Sequence, residues 1–415
     1  MADSLFFSRD TRVFIKITGQ DTVWELPVLD GFSFSQATNA SEVSINEMAN
    51  ATGGSRRARQ MFNDSYAPAE WSFSTYARPY YDSGNSKDQS VEQVLWALIA
   101  GQPHYTSLGF KSQSASGAAY ISQGTNKQDI SFAESNKTTL GTADIWFLMG
   151  DSSDSADSNT IATAYKIEEC CVNEATFDFD IDGIATLNWA GFGKIIKEVG
   201  VYVQDAAPTS GAVKGDDLWV KTASPAYSAS SVHVSNSSDM TASEGAFGIT
   251  VTGIDQDSNY IRNRVSYLSV SSLNTGGTAG VTLTGGSINI NNNITYITPE
   301  TLGVVNQPLG HVTGTRTVGG NVTCYLNAEA GASADLFSDV LGATSTITNQ
   351  FNLTFSIGGG ITEGVPAVEF KMANCHLEVP AHSIEDVISL ETTFHALPSN
   401  MESTDELVIS YAGGH

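Results

Sequence analysis

Tyr165-Lys166-Ile167-Glu168-Glu169-Cys170-Cys171-Val172 is echoed 205 positions later by Phe370-Lys371-Met372-Ala373-Asn374-Cys375-His376-Leu377. The neighbours of this echo follow in order. Downstream, Asp182-Gly183-Ile184-Ala185-Thr186-Leu187 matches Glu385-Asp386-Val387-Ile388-Ser389-Leu390 at an offset of 203. Upstream, residues 71–76 match residues 321–326, a helical pattern follows each, and residues 143–149 match 351–357. One match could arise by coincidence, but a collinear series reads as a tandem duplication. Each copy then orders a hairpin, a long loop, a strand, a helix and three strands, with longer loops inserted in the first copy.

Most of the remaining chain reads as strand and turn. Residues 11–18 alternate around Val13, Ile15 and Ile17, and Trp71-Ser72-Phe73-Ser74-Thr75-Tyr76 alternates around aromatics. Asp30-Gly31, between residues 24–29 and 32–35, predicts a hairpin turn. Helical pattern occurs twice. Residues 90–99 carry a Ser90 cap, an early Glu92 and a close at Gly101; residues 333–341 close on Gly342. Between the copies, residues 200 to about 258 are rich in Ser, Ala, Gly and Asp, with sparse strand signals at 218–221 and 248–252. The expected plan is one domain at 1–199, a connector or insertion at 200–259, and a second domain at 260–415. A last short strand is expected at 406–411.

Composition removes several function classes. The chain has 415 residues, with Lys+Arg 20 against Asp+Glu 45 and a formal net charge of -25. Only 16% of residues are charged, against roughly 25% in an average globular protein, so the acidity comes from missing bases. Phosphate binding needs clustered Lys and Arg, so a basic nucleic-acid-binding domain is excluded. No run approaches the roughly 20 apolar residues of a membrane span. The N-terminus lacks a basic region followed by an apolar run, so no signal peptide is expected. Cys170, Cys171, Cys324 and Cys375 fit neither a zinc knuckle nor a disulfide framework, and read as small buried hydrophobes in a reducing compartment. There is no GxxxxGK[ST] loop and no G-x-S-x-G elbow. His376 and His382 are six apart on a strand-turn segment, unlike the helical pair of a zinc hydrolase. We expect no enzyme, no cofactor and no metal site.

Two local patterns invite a role. In Glu174-Ala175-Thr176-Phe177-Asp178-Phe179-Asp180-Ile181-Asp182, alternation sends Phe177, Phe179 and Ile181 to one face and Glu174, Asp178, Asp180 and Asp182 to the other. A solvated strand face explains the alternation. Successive carboxylates, which repel one another where Ser or Thr would not, are explained by a surface that must repel something negative. The second pattern is the connection at residues 39–65, which holds Glu42 and Glu47 and then Arg56-Arg57-Ala58-Arg59. So long an unstructured connection inside a compact domain tends to be functional, and a basic loop in so acidic a chain suits an acidic surface on a neighbouring copy; a salt-bridged surface loop fits the spacing equally well.

Residues 56–76, above all Phe62-Asn63-Asp64-Ser65 and Ala69-Glu70-Trp71-Ser72-Phe73-Ser74-Thr75-Tyr76, resemble phage tail tube proteins. The likeness is to the duplicated type from long, non-contractile tails, whose chains carry two tube domains. Thr284-Gly285-Gly286-Ser287-Ile288-Asn289-Ile290-Asn291-Asn292-Asn293-Ile294-Thr295-Tyr296-Ile297-Thr298-Pro299, Pro308-Leu309-Gly310-His311-Val312-Thr313-Gly314 and Cys324-Tyr325-Leu326-Asn327 extend it into the second half. It covers roughly residues 8–195 and 260–400. The chain departs from the family in its longer connector, and is expected to lack the immunoglobulin-like decoration domain that some relatives carry.

The resemblance implies an all-β fold, with two tandem tail-tube β-sandwich domains, each with a short flanking α-helix. It implies a virion protein, made in the host cytoplasm, that assembles with itself. Three chains would form a pseudo-six-fold ring around an inner β-barrel, and rings would stack into the tail tube through which DNA is ejected. Other partners would be the tape measure, tail terminator and tail tip proteins, with no membrane. The long loop resembles one that reaches the adjacent ring, which makes Arg56, Arg57, Arg59, Glu42 and Glu47 the candidate inter-ring contacts. Going beyond the resemblance, Glu174, Asp178, Asp180 and Asp182 are candidate lumen lining. Duplex DNA carries one charge per about 1.7 Å of axis, so an acidic wall would let it slide without specific binding. Two alternatives stand beside this reading. A tail tip or terminator ring protein would form rings without long tubes. A β-helical glycan-binding protein or depolymerase, suggested by Gly/Asn/Thr-rich runs such as residues 287–295, should repeat at about 20–30 residues.

Overall fold

A computed structural model describes residues 8, 11–20, 23–43, 60–82, 87–106, 109–113, 121–123, 127–132, 140–150, 163–203, 218–221, 231–235, 249–250, 260–272, 278–281, 283–302, 305–328, 333–334, 351–361, 364–384 and 387–413. The first half holds β1 (Thr11–Ile17), β2 (Val23–Leu26), β3 (Ser33–Ser35), β4 (Thr38–Val43), β5 (Gln60–Tyr66), β6 (Ala69–Tyr76), β7 (Pro79–Asp82), β8 (Lys87–Ser90) and helix α1 (Gln93–Ala100). It continues through β9 (Gln102–Thr106), β10 (Gly109–Gln113), β11 (Ile121–Gln123), β12 (Gln128–Ile130), β13 (Ala143–Met149), β14 (Thr163–Asp180), β15 (Thr186–Gly193) and β16 (Ile196–Val199). Next come β17 (Val201–Val203), β18 (Leu218–Lys221), β19 (Ser231–Ser235) and β20 (Ile249–Thr250), a small sheet of their own. The second half holds β21 (Tyr267–Ser272), β22 (Thr278–Val281), β23 (Leu283–Asn291), β24 (Thr295–Ile297), β25 (Gly310–Val312) and β26 (Thr317–Tyr325). It ends with β27 (Phe351–Ile357), β28 (Ala367–Leu377), β29 (Ala381–Ile384), β30 (Ile388–Ala396) and β31 (Val408–Ala412).

The two halves repeat one pairing scheme. β1 lies between β2 and β13, and β13 pairs with the start of β14; likewise β21 lies between β22 and β27, and β27 pairs with β28. In the other layer β3 pairs with β6 and β6 with β15, which pairs with the later part of β14. Its counterpart runs β23, β26, β30, then the end of β28 and β29. Even the irregularities repeat. The β13–β14 ladder shifts between Ala143 and Ile145, and the β27–β28 ladder between Phe351 and Leu353. Cys170 stands opposite Ala143 and Cys375 opposite Phe351; both thiols are buried and each points its Sγ at the carbonyl three residues back. A bulge adds local twist and re-aims side chains, and is kept between related units, so its recurrence is the duplication seen in backbone geometry.

The fold refines several expectations. Thr75 stands opposite Leu187, and Cys324 opposite Leu390, so Thr75 corresponds to Cys324. The sequence match of 71–76 with 321–326 is therefore one residue out, and such a slip would turn Trp71 and Phe73 off the core face. Asp30-Gly31 is no hairpin: β2 pairs with β1 while β3 pairs with β6, so the chain changes layers there. Gly31, at φ +99°, supplies the left-handed backbone of that corner. Ser90 ends β8 instead of capping a helix; its hydroxyl donates to Gln128 Oε1 at 3.0 Å, and α1 starts at Gln93. Of the second predicted helix, only residues 333–334 lie among the described residues, and both are helical. The ends of the 39–65 connection are themselves paired, as β4 on β5.

Between the layers lies one core. Val13, Ile15 and Phe147 come from one layer and Phe73, Phe177 and Trp189 from the other, with Phe73 edge-on to Phe147 at 6.5 Å. All eight residues of α1 are buried. Fully burying side chains of this size stabilises by about 1.5–3 kcal/mol each, so α1 is held by packing; among the described residues it has no side-chain cap.

Candidate functional site

The acidic strand lies where the halves join. β14 pairs with β23 from Glu174↔Asn291 to Asp180↔Gly285, seven pairs in unbroken register. One sheet therefore runs β3, β6, β15, β14, β23, β26, β30, β29, four strands from each half. Alternation gives this sheet two unlike faces. On the inner face Phe177 and Phe179 are buried, Phe177 packs on Phe370 at 5.0 Å and Phe179 on Phe355 at 6.2 Å. First-half aromatics thus sit on second-half strands. Gly286 in β23 leaves room for this contact, since a Cβ there would come within 2.9 Å of the Phe179 ring.

The opposite face is a field of short polar side chains. One row crosses four strands as Ser74, Asn188, Thr176 and Asn289; the next runs Thr186, Asp178, Ser287, Asn321 and Thr393. Neighbours are tied to one another. Ser74 Oγ donates to Asn188 Oδ1 at 2.6 Å, and Asn188 Nδ2 donates to Asp178 Oδ2 at 2.6 Å. Across the joint, Asn289 Nδ2 donates to Glu174 Oε1 and, at 2.9 Å, to Thr176 Oγ1. Farther on, Ser287 Oγ donates to Asn321 Oδ1 at 2.7 Å. Cross-strand pairs of this kind contribute roughly 0.2–1 kcal/mol each. They hold the carboxylates in place without neutralising them.

The structure brings Glu174, Asp178 and Asp180 onto this face, with Glu174 half-buried and the two aspartates exposed. Partial burial raises the Asp178 carboxyl above its usual range, opposed by the hydrogen bond from Asn188. Asp182 lies past the strand end, in the turn before β15. Ile181 leaves the face expected for it and is 43% exposed, because β14 stops at Asp180. Glu42 is exposed on β4; Arg56, Arg57, Arg59 and Glu47 lie outside the described residues. The sequence reading missed the amides Asn188, Asn289 and Asn321, although Ser287-Ile288-Asn289-Ile290-Asn291 carries the same period-two signal as the acidic strand. Among the described residues no group of three or more His, Cys, Asp or Glu could hold a metal ion, and no helix is long and apolar enough to cross a membrane.

The chain is thus all-β, with two repeated halves merged into one sheet that has a core face and a polar face. No family model matches the chain. It is similar to tail tube protein pb6 of Escherichia phage T5, 28% identical over 415 residues, covering 99% of this chain and 76% of that protein. The likeness supports the resemblance read from the sequence, and with it a structural role as a component of the virion tail.

Proposed function

We propose that this protein polymerises into the tail tube, with three chains closing a pseudo-six-fold ring and rings stacking around a DNA channel. The carrying observation is the β14–β23 ladder, which makes the two halves one eight-strand sheet. Among the described residues, β3 and β29 at its two ends are paired on one side only. Open edges invite strand addition, and closure into a barrel removes them. With the apolar face committed to the core, the polar face with Glu174, Asp178 and Asp180 is the side left to line the channel. Each chain adds a formal charge of -25, so duplex DNA meets a wall that does not bind it. On this reading residues 1–199 and 260–415 are the two tube domains, 200–259 connects them, and the role is structural, not catalytic. Contacts to the next ring fall to Arg56, Arg57 and Arg59 with Glu42 and Glu47, and the tube ends meet tape measure, terminator and tip proteins. Negative-stain electron microscopy of the purified protein tests the reading. Three-fold or pseudo-six-fold rings stacked into long tubes with a continuous channel are expected; monomers persisting at high concentration would falsify it.

A further inference from the structure

The joint inside the chain specifies the register of the joint between chains. We infer that Ser383 of one copy stands opposite Ser33 of the next, and Ala381 opposite Ser35. This rests on the ring reading above, and adds to it a residue-level pairing that the duplication itself supplies.

The argument maps each free edge onto its buried counterpart. On one side, β28 and β29 correspond to β14. Val172 faces Gly191, Thr176 faces Asn188 and Asp178 faces Thr186; Leu377 faces Phe394, Ala381 faces Glu391 and Ser383 faces Ser389. With Leu187 equivalent to Leu390, all three comparisons give the same 205-residue offset that relates Cys170 to Cys375. Thr176 therefore corresponds to Ala381 and Asp178 to Ser383. On the other side, β3 corresponds to β23. Ser33 faces Ser72 and Ser35 faces Glu70, while Ser287 faces Asn321 and Asn289 faces Gly319. Because Thr75 corresponds to Cys324, Ser72 corresponds to Asn321 and Glu70 to Gly319. Hence Ser33 stands for Ser287, and Ser35 for Asn289. The internal joint pairs Asp178 with Ser287 and Thr176 with Asn289; substitution gives the pairs between copies. All four residues of β29 are exposed, as are Ser33 and Ser35.

The chemistry of the two joints then differs. Inside the chain, the Asn289 amide clamps Glu174 and Thr176, and Asp178 faces Ser287. Between chains, Val379, Ala381 and Ser383 take those places against the short side chains of Ser33 and Ser35, so the main-chain ladder alone must hold that joint. Acidic and neutral joints would alternate around the ring.

Paired cysteines test the register, and the four native cysteines are buried and do not compete. The double variants Ser33→Cys/Ser383→Cys and Ser35→Cys/Ala381→Cys are assembled into rings, then bridged by oxidation or with dibromobimane. Asp178→Cys/Ser287→Cys, the equivalent pair within one chain, calibrates the yield. Both in-register variants are expected to bridge as fully as this calibrator, giving dimer and trimer bands and nothing larger. The crossed variants Ser33→Cys/Ala381→Cys and Ser35→Cys/Ser383→Cys should bridge several-fold less, since diagonal neighbours lie about 7–8 Å apart. Rings in which the calibrator bridges but the in-register pairs do not, or in which crossed pairs bridge better, overturn the register. Wild-type protein that forms no rings overturns the ring reading itself, a separate failure seen in the micrographs before any bridging.

Discussion

Two of the joints between the halves of this chain are held by different physics. At the polar-faced joint, β14 and β23 share a main-chain ladder whose outer side is covered only by Ser, Thr, Asn and acidic side chains. At the second meeting, β31 returns from the C-terminal segment to pair with β12 of the first half while its other edge pairs with β28. There the contacts are buried. Trp96 Nε1 donates to the Tyr411 hydroxyl at 3.1 Å, and Trp96 stands edge-on to Trp189 at 4.8 Å. Ser410 Oγ donates to Asp129 Oδ1 at 2.6 Å, and the Arg316–Glu406 ion pair at 3.0 Å lies with the guanidinium over Phe132. The first meeting shapes a surface and the second secures the pairing of halves. Side-chain substitutions should therefore be costly at the second and mild on the polar face of the first.

The largest expected effect is Trp96→Ala. Trp96 is fully buried and touches both a first-half and a C-terminal aromatic, so removing it should cost about 3–5 kcal/mol of stability. Urea unfolding measures the loss, and proteolysis near β31 should become faster. A cost under about 1 kcal/mol would mean that the C-terminal strand is not secured by this cluster.

Next comes Glu92→Gln, which reads the same cluster by pH. Glu92 is fully buried beside Tyr411 and Arg78, and neither carboxylate oxygen makes a well-formed hydrogen bond. Burial pushes its pKa from 4.5 up to about 7, opposed by Tyr411 and by the Arg78 charge. A carboxyl whose folded pKa is raised binds its proton more tightly when folded, so stability falls as pH rises from 4.5 to about 7 and then levels off. Wild type should lose on the order of 3 kcal/mol over that window, and Glu92→Gln should not. Parallel stability-against-pH curves for the two proteins would remove Glu92 from the account.

These two sites also show what a linear reading can and cannot find. The duplication, the acidic alternation and the strand at the C-terminus are periodic, so they are legible one segment at a time. The final strand was visible as a pattern at 406–411, yet its partners were not. β12 lies some 280 residues earlier, and nothing in Gln128-Asp129-Ile130 points to Ser410. Glu92 reads as an early residue of a helix capped by Ser90. Tertiary hydrogen bonding claims Ser90 for Gln128, and the helix begins two residues later with Glu92 inside the core. The joint of β14 with β23 was hidden for the same reason. Alternation tells which face a residue takes, whereas the neighbour across the ladder is chosen by the fold as a whole.

The smallest stability effect is expected at the polar joint, where Asp178, Asp180 and Asp182 are changed together to Lys. Burial already raises the Asp178 carboxyl above its usual range, so ionised Asp178 costs stability at neutral pH. Removing that carboxylate forfeits the bond from Asn188 but also relieves its desolvation. Asp180 and Asp182 are exposed at and beyond the strand end. Because the seven ladder pairs of β14 on β23 use main-chain groups, the triple variant should keep its stability within about 1 kcal/mol of wild type. Its effect should show instead on the cargo. If this face lines the channel, phage built with the variant should assemble tubes of normal length and eject DNA more slowly, because phosphates now meet cations along the wall. A large loss of stability would show that the polar side chains, and not the ladder, hold this joint. Normal stability with unaltered ejection would leave the joint as described and take the channel role away from these three residues.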